Sequence, residues 1–200
     1  MIGEFGGATL LDILADEHGW LLVFRASSAN PDVPSGVHFV RPRLGSVALT
    51  QVTDEYAAVL PTSEGMLVCW DNGLWSMTSM VGFCMATDKH FQPITDVLEV
   101  PYRGVERLIA FSDVRYALAR GGLGGSPGGL WPIDTHGVPV GEPLAMDAWP
   151  LAFGDDWFLG QRFVDPTCPM PEENALCTLE YAPFGPHGEQ LAPFLPLADT

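Results

Sequence analysis

Chemistry in this chain would have to come from five histidines, four cysteines and a surplus of acids. His90 in "DKHFQP", His136 in "DTHGVP" and His187 in "GPHGEQ" stand in closely similar polar settings. Imidazoles are common metal ligands and pH sensors. Similar settings far apart in sequence are better read as one position repeated in separate structural units, too distant to meet a single ion at about 2 Å. The three are therefore expected as turn residues, with no metal bound. His18 falls in a shorter turn, and His38 sits inside an apolar run with no visible partner.

Acidic residues follow the same logic. Glu17, Glu64, Asp113, Asp155 and Asp156 each follow a short apolar run, where carboxylates favour turns by accepting bonds from nearby backbone amides. A glycoside hydrolase needs two carboxylates about 5 to 9 Å apart across a cleft. Adjacent Asp155 and Asp156 point to opposite faces of an extended chain and make a poor pair. Asp12 and Asp16 share one apolar run and are the acids placed to line a channel. Cys69, Cys84, Cys168 and Cys177 lack the spacing of a zinc site. Buried thiols are expected, with Cys69 placed to lie across from Cys84 and Cys168 to Cys177 as a loop staple if the compartment is oxidising. "GGLGGSPGG" (121 to 129) has no Lys-Ser/Thr ending and precedes a strand, so it is a hairpin connection and not a phosphate loop. No catalytic residue and no cofactor are assigned.

The elements that must position these residues are short apolar runs separated by Gly and Pro. The 22 Gly and 18 Pro punctuate the chain in the manner of an all-β protein. First strands read "LLDILAD" (10 to 16), "YAAVLPT" (56 to 62), "RLIAFSD" (107 to 113) and "WPLAFGD" (149 to 155). Second strands are "WLLVF", "MLVCW", "YALA" and "WFLG"; third strands "VHFVR", "FCMAT", "LWPID" and "ALCTLEYA". Fourth strands are expected over 46 to 52, 94 to 100, 138 to 146 and 190 to 197. Second strands begin at Trp20, Met66, Tyr116 and Trp157, at intervals of about 46, 50 and 41 residues.

This four-strand unit resembles a β-propeller blade. Trp70-Asp71 resembles the WD40 dipeptide, and "WDNGLW" (70 to 75) partly resembles the Asp-box of sialidase-type propellers, without its Ser and one residue short. The expected fold is an all-β, small β-propeller of about four four-stranded antiparallel blades. One domain spans residues 1 to 200, with repeats near 8 to 53, 54 to 101, 102 to 147 and 148 to 198. The resemblance implies a ring closed by one chain, a half-ring completed by a second copy, or two packed sheets, the closed ring being preferred.

With a formal charge of -16 the surface repels phosphate backbones and anionic lipid, so no nucleic acid and no membrane is expected. A basic protein is the natural complement. Glu4, Asp12 and Asp16 break the N-terminal apolar residues, which do not read as a secretory signal, and a cytoplasmic location is expected. Long second-to-third loops and the connections between units are the expected recognition face. They carry Trp75, Tyr102, Arg103, Arg120, Phe163 and Met170, residue types favoured at interfaces. The expected function is a non-catalytic protein-binding module, in its concrete form a cytoplasmic inhibitor or immunity-type protein facing a basic partner. A carbohydrate-binding propeller lectin is the alternative, and a glycoside hydrolase ranks last.

Overall fold

Runs of Val, Leu, Ile and aromatic residues too short for helices, each stopped by a turn residue, pair as strands. The computed structural model describes residues 8–16, 19–26, 36–41, 45–50, 52, 57–71, 81–102, 104–120, 129–164 and 178–196. Every regular element among them is a β-strand, and the strands form four antiparallel sheets. The first holds β1 (Ala8–Asp16), β2 (Gly19–Ala26), β3 (Gly36–Arg41) and β4 (Gly45–Leu49) in that order. The second holds β5 (Ala57–Pro61), β6 (Gly65–Asp71), β7 (Gly82–Asp88) and β8 (Leu98–Val100). The third has three strands, β9 (Val105–Ala110), β10 (Arg115–Ala119) and β11 (Gly129–Ile133). The fourth holds β12 (Trp149–Phe153), β13 (Phe158–Phe163), β14 (Leu179–Phe184) and β15 (Leu195–Pro196).

The same two turns recur along the chain. Between first and second strands, Thr62, Phe111 and Gly154 donate their amides to the carbonyls of Gly65, Val114 and Trp157 at 2.8 to 2.9 Å. After the third strands, Asp88, Asp134 and Gly185 donate to Gln92, Val138 and Glu189 at 2.8 to 2.9 Å. Asp88 Oδ1 also accepts from the His90 and Gln92 amides, and Asp134 Oδ1 from those of His136 and Val138. Each of these wider turns needs one left-handed residue: Phe91 at φ 61°, Gly137 and Gly188 at 84°. Phe91 pays for that conformation through its ring, stacked on Phe39 at 4.5 Å and lying 4.6 Å beneath the Arg41 guanidinium.

Fourth strands are shorter than expected, and in the third sheet none forms among the described residues. Residues 138 to 146 touch β11 through two bonds, Val140 to the Pro132 carbonyl and Leu144 to that of Leu130. Pro139 and Pro143 have no N–H to extend that ladder. Pro193 and Pro196 limit β15 in the same way.

Apolar layers lie between consecutive sheets. Leu21, Val23 and Phe39 of the first sheet meet Met66, Val68 and Met85 of the second. Leu67, Cys69 and Cys84 on the opposite face of that sheet meet Leu108, Ala117 and Trp131 of the third. Tyr116, Leu118 and Leu130 then meet Phe158, Ala182 and Phe184 of the fourth. No buried cluster among the described residues joins the first sheet to the fourth.

Candidate functional site

A groove of about 1090 Å³ opens between the third and fourth sheets. Two of the residues expected to bind a partner meet there: Arg120, at the end of β10, and Phe163, at the end of β13. Trp149, Met146 and Leu144 supply an apolar floor, and Gln161 an amide. Arg120 ion-pairs with Glu106 across the β9/β10 hairpin. Arg162 is more firmly held: it pairs with Glu180, its cross-strand neighbour, at 2.6 Å, ion-pairs with Asp147, and lies 3.7 Å over the Phe194 ring. The bond to Glu180 chiefly, with Asp147 adding, keeps the guanidinium charged above its ordinary range. The groove thus offers apolar contact beside fixed charges of both signs.

The other expected partner residues divide. Tyr102 is fully buried and belongs to the layer between the second and third sheets, so it is a packing residue and not a contact residue. Its type and its place in a connection hid this, since a buried tyrosine needs one polar partner and that partner is remote in sequence. Trp75, Arg103 and Met170 lie outside the described residues, as do Glu17, His18, Cys168, Cys177 and the glycines 121 to 128.

Sequence reasoning missed the most constructed polar feature in the core. Cys69 and Cys84 face each other in the β6/β7 register and form a disulfide, correcting the expectation of free thiols. Tyr102 donates its hydroxyl to the Gly137 carbonyl at 2.6 Å, and its oxygen lies 2.9 Å from Cys84 Sγ. Gly137 sits directly on the sulfurs: a Cβ there would come within 2.7 Å of Cys84 Cβ. Burial, and secondarily the Asp134 carboxylate, pushes the Tyr102 phenol well above its ordinary range. Asp71, of the Trp-Asp pair, is buried and accepts the Gly104 amide at 3.1 Å, while Trp70 packs between the first two sheets.

His90, His136 and His187 do occupy equivalent turns, and His187 Nε2 lies 3.2 Å from Asp113 on the neighbouring sheet. Among the described residues no group of His, Cys, Asp or Glu could hold a metal ion. His38 has a partner, contrary to the reading from sequence. Asp12 lines a pocket of about 210 Å³ with Ala58, Glu106 and Arg107, where β1, β5 and β9 approach one another. The Asp16 side chain lies outside the described set. Among the described residues no helix is long and apolar enough to cross a membrane. No family model matches the chain, and no curated protein or solved structure does either.

Proposed function

We propose that the chain is a non-catalytic, propeller-type binding module whose four sheets are blades and whose third-to-fourth groove receives a segment of another protein. The observation that carries this reading is the groove itself, which combines Trp149, Phe163 and Met146 with the fixed ion pairs of Arg120 and Arg162. Rigid apolar contact ringed by charge is the composition of protein-binding surfaces. Recurrent turns and front-to-back stacking support the blade reading. The charge of -16 favours a basic partner and speeds its approach. The buried Cys69–Cys84 disulfide speaks for an oxidising compartment in place of the cytoplasm, and moves the partner away from a cytoplasmic immunity role.

Trp149 beside Gln161 and Asp147 also gives an aromatic face with polar neighbours, the composition a sugar ring would use, so a lectin is the second reading. One experiment separates them. Wild-type protein and a Glu106→Gln/Asp147→Asn variant, which removes groove carboxylates a basic partner would meet, are immobilised and challenged with soluble extract of the native source, and in parallel with a glycan array. Retention of a basic protein in fixed ratio, released by salt and weakened about tenfold or more in the variant, supports protein binding. Glycan binding abolished by Trp149→Ala, without such a protein, replaces it with the lectin.

A further inference from the structure

Among the described residues, buried clusters cover each inner sheet on both faces and the first and fourth sheets on one. Leu21 and Val23 of β2 enter the layer shared with the second sheet, so Trp20 and Leu22 face the other way. Ile13 is paired with Leu22 and lies on that same outward face. Trp20 is 64% exposed and Ile13 51%. On the fourth sheet Phe158 and Ala182 face the third, so Leu159 and Tyr181 face away, joined by Leu195, which pairs with Tyr181 and is 68% exposed. The described strand positions on these two outward faces include no Asp, Glu, Lys or Arg, in a chain of net charge -16.

We propose that these two faces are mates, and that a second copy of this chain brings them together. Three times within the chain the leading face of one sheet packs on the trailing face of the next, each time through residues of the second strand. The trailing face of the first sheet and the leading face of the fourth are a further pair of that kind, left unjoined. A second copy supplies the trailing face this chain lacks at one end and the leading face it lacks at the other. Two junctions then form at once, and eight sheets close head to tail, within the range that propeller rings adopt. Copies this acidic repel each other over most of their surface, and the uncharged ends are where they can meet. The inference rests on the order of the sheets, although Trp149, Gln161 and Phe163 of the groove lie on the same face of the fourth sheet as Leu159 and Tyr181.

Light scattering on the size-excluded wild type tests it, with Trp20→Glu and Leu195→Asp as single variants and as a mixture. The expected result is a mass twice the 21.6 kDa of one chain, dissociated by either substitution. Mixing the two variants should restore a dimer, since one unaltered junction remains between them. Glu106→Gln/Asp147→Asn should leave the mass unchanged, which separates this result from the groove reading. A monomeric wild type overturns the proposal whatever the variants do. So does a dimer indifferent to Leu195→Asp, which would join like faces, or a ladder of higher masses, which would mean that two copies do not close.

Discussion

The phenol of Tyr102 has one proton, and the Gly137 carbonyl, 35 residues along the chain, takes it. Tyr102→Phe leaves that carbonyl unsatisfied in the core and should cost about 1 to 3 kcal/mol at neutral pH, read by urea unfolding. The hydroxyl also sets an alkaline limit. Because burial raises the phenol above its ordinary value of 10.0, above that pH the unfolded chain gives up a proton that the folded chain keeps, so stability falls as pH rises. The phenylalanine variant should lose stability less steeply above pH 10 than the wild type, and parallel slopes would assign the alkaline loss elsewhere. Gly137 is the second sensitive point. Gly137→Ala meets both a left-handed backbone and the Cys84 side chain, and should cost roughly 2 to 4 kcal/mol by the same measurement. Neither role was legible in the sequence, because a hydroxyl's partner on another sheet leaves no local pattern. The turn aspartates Asp88 and Asp134 were within reach, since their bonds run to amides two and four residues on.

Strands announced themselves where both faces are covered: "MLVCW" and "YALA" are almost wholly apolar, and β6 and β10 are almost wholly buried. Fourth strands misled because they are edges. An alternation such as "VPVGEPLAM" looks like a strand, but its prolines prevent a ladder, and short interrupted edges also resist unwanted pairing. The disulfide belongs to this scale, because it ties β6 to β7. Apolar spacing aligned Cys69 and Cys84, yet the expected compartment decided, wrongly, for thiols. The cross-link closes a loop of sequence separation 15, and Cys69→Ser/Cys84→Ser or reduction should lower stability by roughly 3 kcal/mol. Thermal unfolding with and without reductant checks this. A double variant that melts with the wild type would mean that the layer between the second and third sheets holds β6 and β7 without it.

At the scale of the whole molecule, the sequence shows how many sheets there are and in what order, but not which outer faces are covered or where a groove opens. Those depend on how sheets lean on one another, which period-two alternation does not encode. Net charge is the whole-molecule property that was readable, and it has a consequence for stability. Twenty-five acids face nine Lys and Arg, and two of those arginines are already committed, Arg120 to Glu106 and Arg162 to Asp147 and Glu180. Folding concentrates the remaining acids, so the native state carries repulsion that the expanded chain relieves. Salt acts on both terms, screening the repulsion and weakening the exposed pairs. Such pairs contribute at most about 1 kcal/mol each, while the uncompensated acids are far more numerous. The repulsive term should win, and raising sodium chloride from about 0.01 to 0.3 M, which shortens the screening length from about 30 Å to well under 10 Å, should raise the melting temperature. A gain of about 1 kcal/mol corresponds to roughly 2 to 4 °C for a chain of this size. Calorimetry at two protein concentrations separates this from association, because a shift caused only by pairing of copies grows with concentration and one caused by screening does not. A melting temperature that falls with salt would show that the Arg120 and Arg162 pairs outweigh the repulsion of the whole.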